Sequence, residues 1–406
     1  MTSAQGSRAH IAVGAGIFVG LGLQIGVWSV LVADLATTLR LSPGTLGAAL
    51  IASTAAGIVA IIVGGSVADR IGRRPVAILG FASACLAFLL FARIETVTGL
   101  IGVLMIFGIG GSLIDISANA IGADIERQHE TQVMNWLHVG YNVGLALGAG
   151  LTVFAFVLDW SYRSIFVLLA VILGAFALAM TRLPMPVPIG RVRAGRAGGD
   201  EGRLGYRVLA APALLLLTGA VIAAYLIDGS FNSFLSLYLR SVFSSGAALA
   251  ASGVLAVALA GIAGRLIGGG VVRRVGPRRT FLLAAALTLV GLAAAVATES
   301  PLVTLIGLLL VAFALAPVVP TALSAVARAA PGSAGRAVGA VGAVGYVALV
   351  VGPALVGALA DRTSLRFAIG SLMLAAVAIA AGGSIATGTR THVVDTPDGT
   401  LSAMDC

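Results

Sequence analysis

Two carboxylates stand where water is scarce. Asp115 lies in the run Gly110-Gly111-Ser112-Leu113-Ile114-Asp115-Ile116-Ser117-Ala118-Asn119, and Asp228 opens Asp228-Gly229-Ser230-Phe231-Asn232-Ser233, each within a long apolar stretch. An ionisable group deep in a bilayer costs at least about 2.5–3.5 kcal/mol on insertion scales, so it normally faces a cavity or a partner. Asn119 and Asn232 each follow their Asp by four residues, which puts carboxylate and amide on one helical face. Low dielectric disfavours the ionised form of a carboxylate, so such a group can alternate between protonated and charged states. That is the chemistry of proton coupling; the plainer alternative is a carboxylate held by a neighbouring helix.

Other polar residues fall in the same kind of surroundings. His138 and Asn142 lie beside the ladder Gly140, Gly144 and Gly148, whose four-residue spacing reads first as close helix packing. His138 stands near one end of its stretch and fits an interfacial position equally well. Gln24 and Trp28, again four apart, are candidates for a polar path, although a Trp also suits the membrane interface. The four His residues (10, 129, 138 and 392) have no metal-ligand spacing, and Cys85 and Cys406 offer no disulfide framework. Gly108, Gly110 and Gly111 have no strand before them and are no dinucleotide loop, and no Walker loop is present. No metal, cofactor or ATP-driven chemistry is expected, and no enzyme.

The elements that position these residues are membrane helices. Of 406 residues, 59% are hydrophobic and 10% charged, with a mean hydropathy of +1.07; soluble domains carry about 25% charged residues. A bilayer core of roughly 30 Å takes about 20 apolar residues as helix. Such stretches lie near 11–33, 46–67, 76–92, 99–121, 135–157 and 164–182, and again near 209–238, 247–270, 281–298, 302–326, 338–358 and 365–387. The first is too long for a signal peptide's apolar region. All 25 basic residues are Arg. With the N-terminus inside, 19 of them fall on the cytoplasmic side, among them Arg265 and the linker arginines, against six, including Arg240, on the other. The net charge of +9 thus reflects loops rather than a nucleic-acid surface. The expected architecture is all-α and integral to the membrane. Residues 1–182 form one six-helix bundle, 183–207 a Pro-, Gly- and Arg-rich cytoplasmic linker, 208–388 a second bundle and 389–406 a cytoplasmic tail.

The halves repeat. Gly64-Gly65-Ser66-Val67-Ala68-Asp69-Arg70-Ile71-Gly72-Arg73-Arg74 follows the second stretch, and Gly268-Gly269-Gly270-Val271-Val272-Arg273-Arg274-Val275-Gly276-Pro277-Arg278 follows the eighth. Gly140-Tyr141 with Gly148 is echoed by Gly345-Tyr346 with Gly352. Two parallel six-helix repeats are a known transporter architecture. The Gly65–Arg74 segment resembles the signature loop of the major facilitator superfamily: a Gly, then Asp-Arg, a second Gly and two basic residues between helices two and three. The resemblance extends from Ile11 to about Thr387. It implies twelve transmembrane helices in two bundles related by pseudo-two-fold symmetry, with Gly65, Asp69, Arg70, Gly72, Arg73 and Arg74 acting as a conformational latch.

Further consequences follow from that resemblance. Helices one, four, seven and ten would line a central cavity, so Asp115, Asn119, Asp228, Asn232, Asn142, His138, Gln24 and Trp28 become the solute and proton path. Asp115-x-x-x-Asn119, Glu126-Arg127, His138 and the late Gly352-Pro353 are similar to the fucose-permease-like, sugar-type branch. Asp replaces the Glu common in sugar permeases, and aromatics make up only 6% of the chain. The resemblance implies a secondary active transporter of the cytoplasmic membrane, both termini cytoplasmic, acting as a monomer on a small polar solute with protons. Export of drug-like compounds or a secreted metabolite is the alternative. A non-transporting scaffold on the same fold has no need of buried acids.

Overall fold

The computed structural model describes residues 3–187, 212–330 and 334–385. Most of the expected linker and all of the expected tail, as well as the side chain of Asp69, lie outside the described residues. The helices are α1 (Ser3–Thr38), α2 (Pro43–Ile71), α3 (Arg73–Phe91), α4 (Val97–His129), α5 (Met134–Val157), α6 (Tyr162–Met180), α7 (Pro212–Phe243), α8 (Ala247–Ala297), α9 (Pro301–Leu315), α10 (Val318–Ala329), α11 (Ala334–Arg362), α12 (Leu365–Ser371) and α13 (Met373–Ile385). Consecutive α9 and α10 form one membrane-length unit, Pro301–Ala329, as do α12 and α13, Leu365–Ile385.

Among the described residues, 11 helical units are long and apolar enough to cross a bilayer. One of them, α8, has 51 residues, about 75 Å of helix at 1.5 Å per residue. Its backbone leaves helical geometry at Gly276 (φ 81°, ψ 160°), so α8 is two crossings joined by a tight reversal, and the crossings number twelve. Gly72, between α2 and α3, has nearly the same conformation (φ 94°, ψ 167°). The sequence repeat is thus a repeat of backbone geometry at equivalent turns. A side chain in this region costs about 1–3 kcal/mol. Gly72→Ala is therefore expected to lower the thermal unfolding midpoint in detergent, whereas Gly246→Ala (φ −63°) leaves it close to wild type.

Odd-numbered crossings start at the face where α1 begins, here the near face; even-numbered crossings start at the opposite, far face. Far-face connections among the described residues are short, and all but the one into α8 end in side-chain caps. Ser42, Thr96, Ser161, Ser300 and Ser364 each accept a first-turn backbone N–H, with Pro43 and Pro301 at the first helical position. Each cap contributes about 1 kcal/mol. Arg366 donates to both carboxylate oxygens of Glu299 at 2.6 and 3.1 Å. These bonds hold the exposed Glu299 carboxyl, outside the spans, below its ordinary range.

Glycines let α1 and α5 lie backbone to backbone. A methyl at Gly22 or Gly26 of α1 would collide with the carbonyls of Tyr141 and Leu145, and one at Gly144 or Gly148 of α5 with those of Val19 and Leu23. The ladder foreseen in α5 is therefore one side of an interlocked pair. In the second bundle α7 and α11 repeat it, with Gly229 against the Leu349 carbonyl and Gly352 against Leu226. Near-face polar contacts tie the first bundle together. Arg73 Nε donates to Asp124 Oδ2 at 3.1 Å and Arg127 Nη2 to Asp124 Oδ1 at 2.7 Å. Arg74 donates to the carbonyls of Thr181 and Leu183, both at 2.8 Å. Of the other latch residues, Arg70 is exposed and Gly65 half-buried.

One arginine assigned to a loop by charge counting belongs elsewhere: Arg265 is well inside α8, whereas Arg240 lies in the last turn of α7 at the far face, the side on which it was counted. Loop arithmetic cannot register a charge that stands in the interior of a helix.

A polar pocket between the bundles as candidate functional site

The central helices are α1 and α7, packed against α5 and α11 respectively and against each other. On α4, Asn119 Nδ2 donates to Asp115 Oδ1 and to the Asp115 carbonyl, both at 2.9 Å, fixing the carboxylate on the face that its spacing foretold. The second pair departs from the first. Asn232 turns toward α1, its Oδ1 3.4 Å from Ser29 Oγ, and Asp228 is solvent-exposed although it lies at the middle of α7.

The groups around Asp228 come from both bundles. Arg265 of α8, Tyr225 of α7 and Tyr141 of α5 lie within its electrostatic range. Asp115 is within range of Tyr141, Tyr225 and Tyr346, and Arg265 of His138. The Tyr225 and Tyr346 rings are 5.9 Å apart between centroids, and Tyr225 rests against Gly345. Arg265, His138 and Tyr346 are exposed, as Asp228 is, while Asp115 and Tyr141 are half-buried. A set of two carboxylates, a guanidinium, an imidazole and three phenols on five helices is a polar, accessible pocket at membrane depth.

The remaining sequence candidates divide. Asn142 donates to the His138 carbonyl at 2.9 Å and so folds back on its own helix. His138 has its ring edge-on to Phe18 at 4.8 Å. Gln24 is fully buried near Gly111, and neither amide atom has a hydrogen-bond partner among the described residues. A buried unpaired amide costs about 1–3 kcal/mol, the kind of cost retained where function uses the group. Trp28 does not belong to the path: at 4% exposure it packs on Phe91 and Phe107 at 5.2 and 5.3 Å, within the aromatic core. Trp28 and Gln24 are four apart, yet the helix is surrounded on both flanks, so spacing alone could not separate them.

Sequence reasoning missed Arg265, Tyr225 and the ion pair of Asp34 with Arg240, 2.7 Å between α1 and α7. The Gly-Tyr echo held a signal for Tyr141 and Tyr346, because it recurs at the same depth in each half. An apolar groove of about 560 Å³ between α2, α3 and α4, lined by Val59, Val63, Leu79 and Leu113, contains none of the polar pocket residues.

The hydrogen bonds and ion pairs that join the bundles among the described residues are at mid-membrane or the far face. Besides Asp34–Arg240 and Ser29–Asn232, Asp361 of α11 accepts from Ser42 Oγ at 2.7 Å and from the Gly44 N–H at 2.9 Å. Toward the near face, Gly339 and Gly342 of α11 have nothing within 4 Å of the position a Cβ would take.

Twelve apolar crossings in two repeated bundles around a polar pocket define a multi-pass membrane transporter. Residues 12–353 match the Major Facilitator Superfamily, and the chain belongs to it. An uncharacterised MFS-type transporter of Yersinia pestis is 24% identical over 366 residues, covering 90% of this chain and 93% of that one. The membrane protein MosC of Rhizobium meliloti is 25% identical over 380 residues, covering 92% and 89%. In fold the chain is similar to a mutant form of the nucleoside transporter NupG (TM-score 0.77, 14% identity, 93% of this chain and 99% of that one). It is also similar to a bacterial homologue of the human lysosomal transporter Spinster, inward-facing and unoccupied (TM-score 0.74, 17% identity, 94% and 97%).

Proposed function

We propose that the protein imports a small polar, sugar-like solute together with protons across the cytoplasmic membrane by alternating access. The observation that carries this reading is the pocket of Asp115, Asp228, Arg265 and three tyrosines, shared by both bundles. Hydroxyl-rich solutes are bound by such a set: carboxylates and amides accept and donate to several hydroxyls, and a phenol ring covers an apolar sugar face. That NupG is by name a nucleoside transporter is consistent with a ribose-bearing or sugar-type solute. Resemblance to the sugar-type branch points the same way. Asp115 and Asp228 take and release the proton, while Gln24, Asn119, Asn142, His138 and Asn232 border the path.

In this reading the near face is cytoplasmic, which the arginine asymmetry supports, and both termini lie there. The structure's closed far face then corresponds to a pocket reached from the cytoplasm. The bundles, 1–182 and 208–388, rock about the pocket as a monomer, with 183–207 as a tether. The segment from Gly65 to Arg74, Asp69 included, is the near-face latch.

A counterflow screen tests the solute class without needing a gradient. Proteoliposomes preloaded with unlabelled hexoses, pentoses or nucleosides, one at a time, should accumulate trace label of at least one class saturably, and Arg265→Ala should weaken it. Exchange confined to apolar drug-like cations would overturn the sugar-like assignment in favour of an exporter.

A further inference from the structure

The near-face signature has a second copy that the repeat of the two halves does not account for. Gly65-Ser66-Val67-Ala68-Asp69-Arg70 ends α2, and Gly357-Ala358-Leu359-Ala360-Asp361-Arg362 ends α11. The shared pattern is Gly-x-x-Ala-Asp-Arg at the C-terminal end of one helix in each bundle, at opposite membrane faces. Helices α2 and α11 also pack against each other across the bundle interface, with the start of α2 against the end of α11.

The Asp361 contact is an N-cap made in trans. Ser42 caps α2 by accepting the Thr45 N–H at 3.1 Å, and its hydroxyl proton goes to Asp361 Oδ2 at 2.7 Å. Asp361 Oδ1 accepts the Gly44 N–H at 2.9 Å, one of the first-turn donors that a helix cannot satisfy internally. A carboxylate at the positive end of a helix, receiving two such bonds, is in the most favourable place for its charge. The approach depends on missing side chains. A methyl at Gly44 would strike the Asp361 carboxylate, one at Gly357 the Pro43 carbonyl, and one at Gly47 the backbone at Pro353 and Ala354. Since Asp361 and α2 belong to different bundles, parting the bundles at the far face must break both bonds at once.

We infer that Asp361 is the far-face latch, a displaced copy of the signature that fastens α11 to the start of α2 and holds the far face shut. The Asp34–Arg240 pair, 2.7 Å between α1 and α7, also joins the bundles toward this face. The latch sets the balance between the two access states independently of which solute is carried. It releases when Asp361 is replaced by a neutral residue or when Gly44 gains a side chain.

Electron–electron distance measurement in nanodiscs tests this. Spin labels at Ala48→Cys of α2 and Ala358→Cys of α11, both exposed, report far-face separation in a background with Cys85→Ser and Cys406→Ser. The parent should give mainly a short distance. Asp361→Asn and Gly44→Ala should each raise the ratio of long to short populations by about tenfold, as expected for loss of a charge-assisted cap. Arg362→Gln, next in sequence, should leave the distribution unchanged. A distribution for Asp361→Asn superimposable on the parent's overturns the latch. If that variant fails to fold, an unchanged distribution for Gly44→Ala overturns it instead. No solute or proton gradient enters the measurement, so its failure is distinct from failure of the transport assignment.

Discussion

Replacing Asp228 by Asn is expected to reduce gradient-driven accumulation by about two orders of magnitude, the upper end of coupling free energies between sites, while leaving energy-independent exchange. Asp228 is the exposed acid of the pocket, within electrostatic range of Arg265 and of tyrosines from both bundles. Asn keeps the shape and the hydrogen-bonding capacity but cannot take up or release a proton. Asp115→Asn should behave alike with a smaller exchange rate, since it also disturbs the 2.9 Å bond from Asn119. Uphill uptake by both variants at the parent's level would remove these acids from the coupling step and leave them as solute ligands or structural groups.

The second large effect concerns stability. Asp124 is 1% exposed and receives both Arg73, 6% exposed, and Arg127, 44% exposed. Asp124→Ala takes the carboxylate away from the buried Arg73 guanidinium, and breaking such a pair costs about 3–5 kcal/mol. Little folded, monodisperse protein should survive extraction, or its thermal midpoint should fall sharply. Arg127→Gln removes the exposed partner and should cost no more than about 1 kcal/mol. Equal midpoints for the two variants would mean that the Arg73–Asp124 pair contributes nothing to holding α3 against α4.

The fold was legible in the sequence because bilayer thickness dictates helix length, and because Gly72 and Gly276 mark the same reversal in each half. The α5 ladder was legible too, since glycine at every fourth residue has few explanations in an apolar helix. Asp115 with Asn119 followed from spacing alone. Asn232 did not: the same spacing from Asp228 permits a bond, but Ser29 of another helix draws the amide away. Trp28 was misplaced for a similar reason, as a four-residue period fixes a direction on α1 without telling what stands opposite. Asp34 and Arg240 are 206 positions apart and meet only because α1 and α7 cross. Arg265 was hidden by a rule that counts arginines near helix ends as loop charges. Each miss concerns the register of one helix against another, which one sequence does not encode by pattern.

The most direct measurement is external pH around weakly buffered proteoliposomes when the solute identified by counterflow is added outside. The proposed mechanism predicts a rise in external pH as protons enter with the solute, saturating with solute concentration and absent in Asp115→Asn and Asp228→Asn. Saturable solute entry with no change in pH, in the unaltered protein, would contradict proton coupling and leave a carrier whose two intramembrane carboxylates serve the solute alone.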